Sequence, residues 1–100
     1  MLLTKAKEVL RLSSNVTDTE VTDLIYSAIY DLRRVGIIVP DEVTPSYMGA
    51  VDPLLERAIL LYCKANYGYN DDSEKFRAAY EHLQIALSLS QEYITEADDE

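Results

Sequence analysis

Cysteine occurs once in this chain, histidine once and tryptophan not at all, and these scarcities narrow the chemistry open to it. A single thiol, Cys63, cannot close an internal disulfide, which fits a reducing compartment without requiring one. It sits among leucines and tyrosines, where an apolar setting raises a thiol's pKa and silences it as a nucleophile. His82 has no cysteine or carboxylate beside it at metal-ligand spacing, so no metal is expected. The three glycines stand apart, so no glycine-rich phosphate loop can form and no cofactor is expected. The acidic pair Asp71-Asp72 is better read as a helix start, where carboxylates are favoured anyway, than as a cation site. The expectation is a protein that is not an enzyme.

Positive charge is also scarce. Lysine and arginine number 9 against 18 acidic residues, a net charge of −9, and the only basic cluster is Lys5, Lys7 and Arg11. Nucleic-acid binders gain affinity by neutralising phosphates with such residues, so a DNA-gripping role is disfavoured. Long apolar runs are missing as well: none could cross a bilayer, and no basic-then-apolar leader opens the sequence, so no membrane partner is expected.

Against these absences stands an abundance. Hydrophobic residues make up 48% of 100 residues, beside 27% charged. A chain of this size forms one domain at most and buries only part of its surface. We therefore expect a single domain over residues 1–94, an acidic flexible tail over 95–100, and surplus apolar surface that meets other chains.

The periodicity predicts an all-α fold, a small bundle of about four helices. The first is expected over Thr4–Leu12, with Thr4 as N-cap and Val9 and Leu12 among its contacts, and Ser13-Ser14-Asn15 breaks it. The second opens with a capping box, Thr17 to Glu20, presents Val21, Leu24, Ile25, Ala28, Ile29 and Leu32 on one face, and ends at Gly36. Residues 37–51, IIVPDEVTPSYMGAV, form a long apolar loop between helices two and three, since Pro40 and Pro45 forbid a continuous helix. Such a loop packs on its own domain or on a partner. The third helix starts from Asp52 as N-cap with Pro53 at the first helical position, runs to Tyr67 and stops at Gly68. Its apolar residues cover more than half the circumference, which makes it the hub. Asp71 and Glu74 cap the fourth helix, whose inward face is Phe76, Ala79, Tyr80, Leu83, Leu87 and Ile94.

Candidate partner surfaces lie on second faces. Ala78, His82, Ile85 and Leu89 recur at helical spacing opposite the Phe76–Leu87 face; either the first helix or the loop covers them, or they meet another subunit. Tyr26 and Tyr30 lie away from the Val21–Leu32 face with Arg33 beside them, and tyrosine and arginine are favoured interface anchors; the alternative is a half-exposed pair tucked against the loop. In the loop, Ile37, Ile38, Tyr47 and Met48 are candidates for reaching a neighbour. Basic residues near the start and five acids from Glu92 onward suit head-to-tail packing, in which unlike surfaces meet.

The helix start Asp52-Pro53, the run AILLYCKA from Ala58 to Ala65, the turn Tyr67-Gly68-Tyr69 and Ser88-Leu89-Ser90 together give a pattern that resembles the head–tail connector (adaptor) proteins of tailed bacteriophages, also labelled phage DNA-packaging proteins. The resemblance covers residues 3–92. It implies a structural virion protein at the head–tail junction, made in the host bacterial cytoplasm. Such proteins form a homo-oligomeric ring, roughly twelvefold in closed symmetry, that extends the portal channel. The ring joins the portal protein to stopper or tail-completion proteins and lets DNA pass without specific binding. On this reading Tyr26, Tyr30, Arg33, Ile85 and Leu89 are candidates for the subunit surface, and the segment after Ser90 for docking on the portal. A different class remains open from the residues alone: a small cytoplasmic helical regulator that acts as a dimer and binds a protein target. A DNA-binding helix-turn-helix is disfavoured by charge.

Overall fold

Among the described residues the fold has four helices: α1 Leu2–Leu10, α2 Asp18–Arg34, α3 Pro53–Asn66 and α4 Ser73–Ser88. The computed structural model describes residues 2–10, 18–49, 51–66, 73–90 and Tyr93. The fold is all-α. α3 packs against each of the other three helices, and α1 also packs on α2.

α1 begins two residues earlier than expected, and Thr4 lies inside it as an exposed residue, not at its cap. The cause is tertiary. The Leu3 amide donates to the Pro45 carbonyl at 2.9 Å, so the link between α2 and α3 serves one of the first-turn donors that a capping side chain would otherwise meet. Leu2, Ala6 and Leu10, at i, i+4 and i+8, are buried. Leu12, the break at 13–15, the Thr17 cap and the side chain of Val9 lie outside the described residues.

α2 buries Val21, Ile25, Ala28, Ile29 and Leu32, with Leu24 half-buried, as its periodicity requires. Its end is a Schellman motif. Gly36 has φ +95°, its amide donates to the Arg33 carbonyl at 2.9 Å, and the Ile37 amide donates to the Leu32 carbonyl at 3.1 Å. Ile37 and Leu32 are both buried, which supplies the hydrophobic contact that accompanies this cap. Any side chain at position 36 would pay for the left-handed backbone, about 1–2 kcal/mol.

Between α2 and α3, Ile37, Val39 and Val43 are buried and join the core. The Arg33 guanidinium holds this segment, donating to the Val39 carbonyl (2.7 and 3.2 Å) and the Pro40 carbonyl (3.3 Å). At its far end Asp52 caps α3: one carboxylate oxygen accepts from the Leu54 amide at 2.9 Å and the Leu55 amide at 3.4 Å. The same carboxylate accepts from the Tyr93 hydroxyl at 3.0–3.1 Å, and the Ile38 amide donates to the Tyr93 carbonyl at 2.6 Å. The chain beyond α4 thus returns to the start of α3.

α4 departs from expectation at two places. It ends at Ser88, where the serine hydroxyl donates to the Ile85 carbonyl at 2.8 Å and the Ser90 amide turns back to Leu87. Its buried stripe is also narrower: Tyr80 and Leu87 are buried, Phe76 and Leu83 half-buried, and Ala79 is exposed. The reason is that α4 packs chiefly on one helix, so only the sector aimed at α3 is covered. Tyr67, Gly68, Asp71, Ile94 and the acidic tail 95–100 lie outside the described residues.

Candidate interaction surface

A polar cluster is built on an acidic side chain near the C-terminal end of α2. Asp31 accepts from Arg34 at 2.6 Å on one oxygen, and from the Tyr80 hydroxyl at 2.7 Å and the Gln84 amide at 3.0 Å on the other. These bonds tie α2 directly to α4. Burial alone would raise the Asp31 carboxyl, but the hydrogen bonds from Arg34, Tyr80 and Gln84 outweigh it and hold the group below its ordinary range. Desolvation and the neighbouring carboxylate push the Tyr80 phenol well up, and its bond to Asp31 keeps Arg34 protonated beyond the usual guanidinium range. Near neutral pH the cluster is therefore a carboxylate that accepts from a guanidinium on one oxygen and from a neutral phenol on the other.

This cluster lines a groove of about 310 Å³ between α2, α3 and α4, with Tyr62, Asn66 and Arg77 on its other walls. A shallower depression of about 360 Å³ adjoins it along α2 and adds Tyr26, Ser27 and Tyr30. The Tyr62 and Tyr80 rings meet edge to face at 5.3 Å and 75°, a geometry that aromatic quadrupoles favour. Lys64 stands 4.3 Å over the Phe76 ring and covers the far end of the α3–α4 seam.

The structure separates the sequence-predicted candidates into three groups. Tyr26 and Tyr30 share the outer side of α2 and are exposed, Tyr30 at 71%. Ile85 and Leu89 are exposed at 58% and 78% with His82 and Ala78 beside them, so neither α1 nor the link covers that side of α4. The link candidates divide. Met48 and Ile38 are exposed and Tyr47 is half-buried, whereas Ile37 is buried as the partner of Leu32 in the α2 cap and cannot meet another chain. Arg33 is not a companion of the tyrosines; its guanidinium is turned to the link carbonyls. Arg34 stands with Tyr26 and Tyr30 instead.

Sequence reasoning missed Asp31, Arg34, Tyr62, Tyr80 and Gln84 as a group. One local signal was available, an acidic residue near the end of a helix with arginine at i+3, but nothing in the chain links Asp31 to partners 49 and 53 residues away. Cys63 is buried, and desolvation pushes its thiol up to about 12, so almost none is thiolate at neutral pH. Among the described residues no three His, Cys, Asp or Glu side chains are grouped to hold a metal ion, and no helix is long and apolar enough to cross a membrane. What the surface offers is tyrosine, arginine and aliphatic area on more than one face.

A protein-family model described as Phage connector protein matches residues 2–94. The chain belongs to that family. No curated protein and no solved structure matches it. Family membership makes this connector a structural protein of the bacteriophage head–tail junction, associated with portal and tail proteins in the virion. The match takes in all four helices and the segment that carries Tyr93 back to Asp52.

Proposed function

We propose that this connector works without catalysis, as a ring subunit at the head–tail junction. The ring extends the portal channel, links it to stopper or tail-completion proteins, and lets DNA through without gripping it. The observation that carries the reading is the family match over residues 2–94. Two further features support it. Exposed apolar and aromatic side chains stand on two separate helices, α2 and α4, whereas closed cyclic assembly calls for two unlike surfaces on one chain. A net charge of −9 gives a channel wall that repels the phosphate backbone and so leaves DNA free to slide.

Native mass spectrometry over a concentration series, alone and with the portal protein, tests the proposal. The expected result is a closed ring of roughly a dozen copies, formed either by the connector alone or on the portal. A dimer that survives dilution and ignores the portal would overturn it and favour a small cytoplasmic regulator that binds a protein target through the same faces. Salt-sensitive affinity for duplex DNA would overturn the free passage of DNA in particular.

A further inference from the structure

The groove between α2, α3 and α4 carries hydrogen-bond donors that meet no acceptor within the described fold. Arg77, on the α4 wall, is exposed and makes no ion pair or hydrogen bond among the described residues. Arg34, on the α2 wall, spends one N–H group on Asp31 and keeps 59% of its side chain exposed. Most of its five-donor fork therefore stays open. The Tyr62 hydroxyl, on the α3 wall, has no hydrogen-bond partner among the described residues either.

Two acids share the groove with these donors. Asp31 is already committed, accepting from Arg34, Tyr80 and Gln84. Glu81 is exposed, and its carboxylate subtracts from the pull of the groove. Two guanidiniums thus stand against two carboxylates, which makes the groove a neutral window on a chain of net charge −9. Its open groups are mainly donors. Guanidinium and phenol donors bind a carboxylate with short, charge-assisted bonds, so a carboxylate is what the groove lacks.

The chain carries such groups within reach. Glu96, Asp98, Asp99 and Glu100 follow Tyr93, and all four lie beyond the residues that the family model matches. Tyr93 fixes where that segment departs: its carbonyl accepts from the Ile38 amide, and its hydroxyl donates to Asp52. Ile38 is only four residues from Arg34, so the two are at most about 14 Å apart. Residues 94–100, when extended, span about 23–25 Å. The acids can therefore meet Arg34 without leaving their own chain. A tether this short gives an effective concentration on the order of millimolar, enough to populate a contact too weak to hold a free peptide.

We propose that the acidic segment 96–100 folds back on its own chain and seats its carboxylates on Arg34, Arg77 and the Tyr62 hydroxyl. The segment then covers the groove in the free connector, and a partner that binds there has to displace it first. The contact lies within one chain, so it stands or falls independently of the ring reading.

The test is nuclear magnetic resonance on the full chain at a concentration where it is monomeric. Wild type is compared with a variant that combines Glu96→Gln, Asp98→Asn, Asp99→Asn and Glu100→Gln. The side-chain signals of Arg34, Arg77 and Tyr62 are expected to shift, while those of His82 and Leu2 stay in place. No shift at the groove, or shifts spread evenly over the molecule, would overturn the proposal. Half-molar sodium chloride should move the wild-type signals the same way, because exposed charge pairs are screened. Arg77→Gln breaks no bond of the described fold and gives the reciprocal check. In that background, neutralising the acids should move Tyr62 less than it does in wild type; an equal response would mean that the acids do not act at Arg77. Adding unlabelled wild type to the isotopically labelled neutralised variant should restore nothing. Recovery of the wild-type signals would place the segment of one copy in the groove of another and would overturn the fold-back.

Discussion

α3 and α4 are of similar length, and both carry apolar residues on more than one face, yet the fold treats them differently. α3 buries Leu55, Ala58, Ile59, Cys63 and Ala65, whereas α4 buries only Tyr80 and Leu87. The difference lies less in composition than in neighbours. α3 is enclosed by α1, α2 and α4, and α4 leans chiefly on α3. An apolar position in a short chain is therefore a demand for cover that the chain meets only where another element happens to lie. On α3 the demand is met within the chain. On the outer side of α4 it is not, and the unmet part has the character of an interface.

The contrast is broken most directly by charging the hub. Ile59 is fully buried, and Ile59→Asp would place a carboxylate with no partner in the core, at a cost above about 4 kcal/mol. Domains of this size have only about 5–15 kcal/mol in total, so the expected outcome is loss of cooperative unfolding by circular dichroism. A variant that stays folded would show that α3 is not the hub. The inward side of α4 should behave like a milder version of the same site. Leu87→Ala removes a buried side chain and is expected to cost about 2–4 kcal/mol in urea unfolding. A cost below about 1 kcal/mol would mean that α4 is held by its polar contacts instead.

Those polar contacts give a third, smaller effect with a pH signature. The Asp31 carboxyl is held below its ordinary value in the folded protein, so the unfolded chain takes up its proton first as acid is added. Its contribution is complete above the unfolded carboxyl range near 3.8 and is lost as pH falls from there through the lower folded value. Asp31→Asn should cost about 1–2 kcal/mol at neutral pH, since hydrogen bonds to a charged group are lost or weakened. It should also flatten the acid limb of a stability–pH curve. An unchanged acid limb would mean that Asp31 titrates alike in both states.

How far the sequence foretold this arrangement follows the range of the interactions involved. Local signals were legible. Asp52-Pro53 announced the start of α3, Gly36 the end of α2, and the spacing of Val21, Ile25, Ala28 and Leu32 its buried stripe, because caps and periodicity are set within a turn or two of the chain. Contacts across the chain were not. Thr4 looked like a cap because nothing in sequence places Pro45 over the first turn of α1. Ile37 looked like a partner residue because its burial depends on the α2 cap geometry, and Arg33 like a companion of the tyrosines because the link carbonyls it binds come from a fold-back. Ala79 looked inward because an apolar stripe does not declare how many helices will cover it. The Asp31 cluster was invisible for the same reason: its partners on α4 join it only after α3 has brought the two helices together. On the outer faces, the sequence correctly separated Tyr26, Tyr30, Ile85 and Leu89 from the core-facing rows, but whether anything covered them was a tertiary question.

The smallest predicted effect is the one that sharpens the comparison most. Ile85 and Ile59 are chemically the same residue on adjacent helices, and the same substitution should separate them fully. Ile85→Asp replaces a side chain that is 58% exposed, so the monomer should keep its stability within about 0.5 kcal/mol. A polar residue there could even gain, because the existing one leaves apolar area in water. The measurement is urea unfolding at a concentration low enough that wild type is monomeric, with assembly followed separately at high concentration. If the variant is markedly destabilised as a monomer, Ile85 is covered within its own chain, and the outer side of α4 belongs to the core after all. If stability holds while assembly falls, the same helix is shown to serve two masters: its Tyr80–Leu87 side folds the connector, and its Ile85–Leu89 side joins one connector to the next.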